Sequence, residues 1–296
     1  MAKKIVISGF TSTDTSAPRL VDLDRIESAG SLMLTEVAHP SSAWAAGVPV
    51  AGVTVQPNIL WAKAAAVIGS GNAVTLSSAL NRGTNWTGSK ILLERTTKGG
   101  LHGVMPNPLG VASAQTFFSL SPADPIKTFM LANPTHQFYY SLWARITRRS
   151  AAGLAVLPDL AEYANPSVPA SNNFALIRIG SNLPVNGRNS ASTGTNPALL
   201  NVTSSAFAGT LPASIAGFNA FAAIVGPQGV NGSAGTPPTY DNLPSVVFYR
   251  AYLEDLTVSG RTYAAVDALD LTAHTNAFAV GGRYFGDAYT DPAAVA

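Results

Sequence analysis

The acidic residues are the first candidates for chemistry, because the chain has no cysteine and therefore neither a thiol nucleophile nor cysteine-ligated zinc. Glycoside hydrolysis needs two carboxyl groups roughly 5–10 Å apart across the sugar bond. The adjacent Glu254 and Asp255 end a predicted strand, where successive side chains point to opposite faces. We interpret them as a solvated turn and assign no catalytic residue.

Serine and histidine residues offer no stronger site. The Gly-x-Ser-x-Gly elbow of serine hydrolases is approached only by residues 231–235 (NGSAG), which lack the first glycine and lie in a proline-rich segment. The histidines His39, His102, His136 and His274 are scattered singly, without metal-ligand spacing. We predict hydrogen-bonded strand or loop residues here rather than metal ligands, and we assign no cofactor.

Calcium stays open at this stage. Asp241, Asn242, Asp287 and Asp291 carry the hard oxygen ligands that calcium prefers, but the sequence contains no twelve-residue calcium loop. A turn-forming role explains these residues equally well.

Aromatic side chains supply the remaining candidate site. In residues 136–147 (HQFYYSLWARIT) strand alternation places Phe138 and Leu142 on one face and Tyr139 and Trp143 on the other. The second face is expected to turn outward on a concave surface, where Tyr139 and Trp143 would stack on sugars. Trp86 is a further candidate glycan-binding residue. The alternative is that Trp143 packs beneath a loop.

Short strands are expected to position these groups. β-branched and aromatic runs predict strands at 90–96, 100–105, 115–120, 127–131, 136–147, 174–179, 218–225 and 246–254. This spacing favours an all-β sandwich or barrel. Two helices are predicted: one over residues 57–68 with Asn58 as its cap, and one after Ser259-Gly260 with Thr262 as its cap.

Composition limits the classes of function. The chain has 296 residues, of which 11% are charged and 47% are apolar. Such low charge favours either a surface covered in an assembly or a merely alanine-rich composition. The net charge of +2 gives no reason to expect nucleic acid, and we interpret Arg145, Arg148 and Arg149 as a strand end. No apolar stretch reaches the roughly 18 residues of a membrane helix. Residues 1–10 lack a signal-peptide core, so we expect synthesis in a cytoplasm without cleavage.

Two segments resemble a known domain family. FYYSLWARI and VVFYRAYLEDLTVSGRTYAAVDAL are similar to a strand, and to the closing strand and helix, of concanavalin A-like (laminin G-like) domains. Three further segments, GSLMLTEVAHPSSAWAAGVP, ERTTKGGLHGVM and GGRYFGDAYTDPAAV, resemble virion proteins of tailed bacteriophages that carry such a domain. The resemblance implies a jelly-roll β-sandwich with one or two short helices on the phage tail or baseplate, in contact with host-surface glycans.

The resemblance also suggests an organisation and partners. We expect an N-terminal arm (1–30), a sandwich (31–278) with long loops at 180–215 and 226–244, and a C-terminal docking tail (279–296). The expected partners are further copies of the chain, as a homotrimer, neighbouring virion proteins and host carbohydrate. A capsid decoration protein and a free lectin-like glycan-binding module remain alternatives.

Overall fold

The structure, a computed structural model, describes residues 25–39, 55–82, 92–104, 118–133, 135–148, 162–164, 173–175, 186–192, 218–219, 223–225 and 245–295. These residues form a β-rich fold. The strands are β1 (Ser31–Glu36), β2 (Val55–Gln56), β3 (Ser78–Arg82), β4 (Leu92–Arg95), β5 (Leu101–Val104), β6 (Phe118–Ser121), β7 (Phe138–Arg148), β8 (Glu162–Ala164), β9 (Asn173–Ala175), β10 (Asn186–Ser192), β11 (Phe218–Asn219), β12 (Ala223–Val225) and β13 (Ser245–Asp255). The α-helices are α1 (Trp61–Ile68), α2 (Asp124–Ala132), α3 (Leu256–Ser259) and α4 (Tyr263–Phe278).

The main sheet is built around β13. Its strand order is β10-β7-β13-β5-β4, and β1 also pairs with β13. Along one edge β13 pairs antiparallel with β7 from Ser245 to Asp255, while β5 and β1 take successive parts of the other edge. All eleven residues of β13 are buried, which fits its dense run of β-branched and aromatic side chains. Two smaller sheets have the orders β12-β6-β3-β2 and β11-β8-β9.

Helix α4 covers one face of the main sheet. Asp255 caps α3 through the amide of Val258, and Gly260 ends α3 in a left-handed conformation with φ 68°. The hydroxyl of Thr262 then accepts from the amide of Ala265 and starts α4. The predicted cap is therefore confirmed. With 16 residues, α4 is longer than the one or two short helices expected for the fold.

Other local predictions had mixed outcomes. Strands expected around β4, β5, β6, β7 and β13 are present. The strand predicted at 127–131 is wrong, because these residues belong to α2. Pro125 in the first turn has the φ angle that a helix start needs, and Ile126 and Met130, four residues apart, are both buried.

The first helix also differs from its prediction. It begins at Trp61, and the position before it is Leu60, without a side-chain cap. Asn58 instead accepts from the amides of Leu60 and Leu34 and donates to the Leu32 carbonyl. The side chain thus ties the turn before α1 to strand β1.

The described residues of the two terminal segments, 25–30 and 279–295, pack within this fold. Ile26, within the predicted arm, is 1% exposed and packs in a cluster with Leu34 and Tyr139. Tyr284, within the predicted docking tail, is 0% exposed and packs on Trp143 and Tyr249 of the same chain. Part of the predicted 180–215 loop is β10, the edge strand of the main sheet, whereas 226–244 lies outside the described residues.

Candidate functional site

The two aromatic residues predicted to bind glycans are buried. Tyr139 and Trp143 are both 0% exposed. Tyr139 packs with Tyr252 and Val266, and the Trp143 ring meets His274 edge-on at 5.3 Å between centroids. The prediction that this face of β7 is an outer surface is therefore wrong, because α4 covers it. Trp86 lies outside the described residues.

Buried charges hold α4 to the sheet. The indole Nε1 of Trp143 donates to Asp270 at 3.1 Å, and Arg188 Nε of β10 donates to the same carboxylate at 2.6 Å. Arg188 also pairs with Asp267, and Tyr139 Oη donates to Asp267 at 3.2 Å. Burial disfavours the Tyr139 anion and raises its pKa, and the Asp270 charge adds to this effect. We call these residues the helix clamp, which joins α4 to β7 and β10.

A second buried group joins the C-terminal segment, residues 279–295, to the sheet. Glu36 of β1 accepts from Tyr284 Oη at 2.8 Å and pairs with Arg250 and Arg283. Asp287 accepts from Tyr249 Oη at 2.8 Å and from the amide of Lys98 at 2.7 Å. Burial raises the pKa of Tyr249, and the Asp287 charge raises it further.

The carboxylates predicted to form a solvated turn are buried instead. Glu254 and Asp255 are both 0% exposed. Glu254 accepts from Tyr252 Oη at 2.7 Å and pairs with Arg261. Asp255 contacts His136 Nδ1 at 2.6 Å and caps α3. The two side chains do point to different partners, as alternation requires, but both environments are interior.

Two histidines have the structural role that was predicted. Burial lowers the pKa of His102, so the ring is neutral; Nδ1 donates to Glu94 at 2.8 Å and Nε2 accepts from Thr147 at 2.9 Å. Burial alone would raise the pKa of Glu94, but the hydrogen bonds from His102 and Thr290 outweigh it and lower that pKa. His136 is bonded to Asp255.

The candidate calcium ligands that the structure describes, Asp287 and Asp291, accept hydrogen bonds from protein groups. Asp287 accepts the hydrogen bonds from Tyr249 and Lys98 described above. Asp291 accepts from the amide of Ala293 in the turn at Pro292–Ala294. Asp241 and Asn242 lie outside the described residues. Within the described ranges no cluster of three or more histidine or acidic side chains could hold a metal ion.

An open pocket lies where α4, the C-terminal segment and the β7–β10 edge meet. Its volume is about 270 Å³, and it is lined by Ala144, Arg145, Gly187, His274, Phe278, Tyr284, Phe285 and Gly286. Gly187 of β10 and Ala144 of β7 are cross-strand partners, so the two strands contribute adjacent positions to the lining. Phe285 is 47% exposed and offers an apolar ring to solvent. We call this cavity the α4 pocket.

Arg145 is the charged group of the α4 pocket. Its Nη1 donates to the carbonyl of Asp287 at 3.4 Å, and its guanidinium carbon is 5.9 Å from the Tyr289 ring centre. Its Nε is buried and has no hydrogen-bond partner among the described residues. Burial lowers the pKa of His274, so that ring is neutral at neutral pH. The pocket thus combines one cation, a neutral imidazole and aromatic walls, a set suited to binding.

Sequence reasoning missed this pocket. It treated Arg145 as part of a strand end and His274 as an isolated histidine. The usable signal was helical spacing, because the apolar stripe of α4 continues through His274 to Phe278, four residues later. Nothing in the sequence indicates that Gly187 and Phe285 lie beside Arg145.

Comparisons with known proteins add little. No family model matches the chain, and no curated protein matches it. One solved structure, the binding domain of Paraclostridial Mosquitocidal Protein 1, is similar over 83% of this chain with 9% identity and a TM-score of 0.29. The match covers 53% of that chain, about half its length. At this TM-score and identity, the likeness supports no statement about fold or function.

Proposed function

We propose that this chain is a structural protein of a tailed-bacteriophage virion, in the tail or baseplate region, whose concanavalin A-like jelly-roll sandwich contacts host-surface glycans. The proposal starts from the resemblance described above. The concanavalin A-like part of the resemblance rests on segments that form β7, β13 and α4, and the virion part rests on segments that include β1, β5 and residues 281–295. In the fold, β7 and β13 are adjacent central strands of the main sheet.

A binding and structural role is favoured over catalysis by one observation. The buried carboxylates of the described residues, Glu36, Glu254, Asp255, Asp270 and Asp287, all accept hydrogen bonds from structural partners. A general acid or nucleophile must instead reach a substrate in a cleft. The α4 pocket offers a cation and an exposed ring, which suit ligand binding.

Because Tyr139 and Trp143 are buried, the proposed glycan contact cannot lie on their face of β7. Flat rings stack on sugars only where they reach solvent, and Phe285 is 47% exposed. We therefore propose the α4 pocket, rather than the outer face of β7, as the place of contact. The other proposed partners are neighbouring virion proteins and further copies of the chain in a homotrimer.

Localisation on particles tests the virion assignment. Phage-like particles purified from the source culture are analysed by mass spectrometry and by immunogold microscopy with an antibody to this chain. Label at the tail end supports the proposal. Label over the head replaces it with capsid decoration, and absence from particles refutes the virion assignment and favours a free lectin-like module.

Light scattering on the purified full chain tests the oligomeric state. A mass three times that of the 30.5 kDa chain is the expected result. A monomer at micromolar concentration would refute the homotrimer as a state that forms without other virion proteins.

A further inference from the structure

We infer that the α4 pocket binds a single small ring that carries a carboxylate, such as a hexuronic acid, with Arg145 on the carboxylate and Phe285 against the ring. This inference rests on the proposed glycan contact and adds the class of sugar. The carboxylated ring can be a free monosaccharide acid or the terminal residue of a glycan. Both sources present the same charged ring to the pocket.

The hydrogen bonds of Arg145 indicate an acidic ligand. A guanidinium has five N–H donors, and the described residues supply this one with a single bond, from Nη1 to the Asp287 carbonyl at 3.4 Å. Nε is buried away from solvent and has no hydrogen-bond partner among the described residues, which leaves the terminal Nη2 as the donor that a carboxylate in the pocket can reach. No described carboxylate lies within ion-pair distance of Arg145.

Four other arginines of the described residues pair with acidic side chains. Arg188 pairs with Asp267 and Asp270, Arg250 and Arg283 with Glu36, and Arg261 with Glu254. Arg145 of β7 is partly buried and lines the α4 pocket instead of pairing with a described acid. A guanidinium whose charge no described acid balances, placed in a pocket wall, suits an acidic ligand from outside the chain.

The walls of the pocket match the rest of the ligand. The neutral His274 ring adds no second charge and is held at 4.7 Å from Phe278 and 5.3 Å from Trp143, measured between ring centres. It can therefore hydrogen-bond a hydroxyl from a fixed position. Phe285, 47% exposed, offers a face to the C–H groups of a ring.

The size of the pocket restricts the ligand to one ring. Its volume of about 270 Å³ is near the lower end of small-molecule sites, which span about 300–1,000 Å³. A single hexuronate suits that space, whereas a longer saccharide would extend into solvent. Neutral sugars lack the charge that Arg145 selects.

Saturation-transfer NMR on the full chain tests the inference with glucuronate, methyl β-glucuronide and methyl β-glucoside. We expect transfer to both acids and none to the neutral glucoside. Equal transfer to the glucoside, or no transfer to either acid, would overturn the inference. Saturation transfer to glucuronate but not to methyl β-glucuronide would show that the site binds only the free acid. That result would refute binding of a terminal glycan residue.

Matched variants locate the binding. R145Q should weaken methyl glucuronide binding at least about tenfold, the typical effect of losing a charged hydrogen bond. R148Q, three positions along the same strand and outside the pocket lining, should leave the affinity unchanged. An R145Q protein that binds as tightly as the parent chain would overturn the assignment.

Phe285→Ala covers the case in which R145Q does not fold. Because Phe285 is exposed at the pocket rim, this variant should fold and bind methyl glucuronide more weakly; unchanged affinity would contradict its role. The result is independent of particle localisation. A chain found on phage tails that binds no acid refutes only this inference, and a chain that binds acid but is absent from particles refutes only the virion proposal.

Discussion

The Tyr284→Ala substitution should greatly lower the free energy of unfolding, although Tyr284 lies close to the C-terminus. The side chain is 0% exposed. Its ring centre is 4.6 Å from that of Tyr249 and 5.3 Å from that of Phe278. Its hydroxyl donates to Glu36 Oε1 at 2.8 Å.

The magnitude follows from these contacts. Truncating a buried aromatic side chain to alanine costs about 3–5 kcal/mol, a large share of the roughly 5–15 kcal/mol that stabilises a typical domain. Tyr284→Phe keeps the ring and removes only the hydrogen bond to the carboxylate, at a cost of about 1.5–3 kcal/mol. Val280→Ala is the matched control, because Val280 is 84% exposed and surface changes stay within about 0.5 kcal/mol.

Urea denaturation followed by tryptophan fluorescence measures all three variants, and the chain has four tryptophans as probes. The expected order of destabilisation is Tyr284→Ala, then Tyr284→Phe, then Val280→Ala. If Tyr284→Ala loses no more stability than Val280→Ala, the C-terminal segment does not pack on the sheet as described. In that case the segment would be free to dock on a neighbouring subunit, as the sequence suggested.

Three further predictions concern the helix clamp, pH and the α4 cap. Arg188→Gln should cost about 3–5 kcal/mol, because it leaves the buried Asp270 without its cation, whereas Lys63→Gln at the half-exposed pair with Glu27 should cost less than about 1 kcal/mol; urea denaturation showing the reverse order would contradict the clamp. Burial lowers the pKa values of His102 and His274 below the ordinary 6.5. As the pH falls, these histidines therefore become protonated in the unfolded chain before they do so in the folded chain. The free energy of unfolding should be highest near pH 7.5 and should decrease as the pH drops below about 6.5. Equal unfolding free energies at pH 7.5 and 5.5 would rule this out. Thr262→Ala should cost about 0.5–2 kcal/mol by removing the cap of α4, while Thr262→Ser should retain most of it; equal losses in the two variants would show that the hydroxyl does not act as a cap.

Features that depend on neighbouring residues were predictable. The strands β7 and β13 follow from runs of β-branched and aromatic side chains, and the start of α4 follows from the hydroxyl of Thr262. The helix α2 was misassigned because a short apolar run suits either a strand or a buried helix segment. Strand β10 was missed because its polar residues 186–192 (NGRNSAS) lie on a sheet edge, where pairing with β7 decides the conformation.

The sequence by itself determined a β-rich chain with a capped helix after its last strand, because alternation and capping act over a few residues. Only the tertiary structure decided which surfaces and charges are buried. Alternation separates the faces of β7 but does not show that α4 covers Trp143, whose bond to Asp270 spans 127 positions. The α4 pocket likewise unites Arg145, Gly187 and Phe285 from three distant segments, a proximity that arises from strand pairing and chain return rather than from any local pattern.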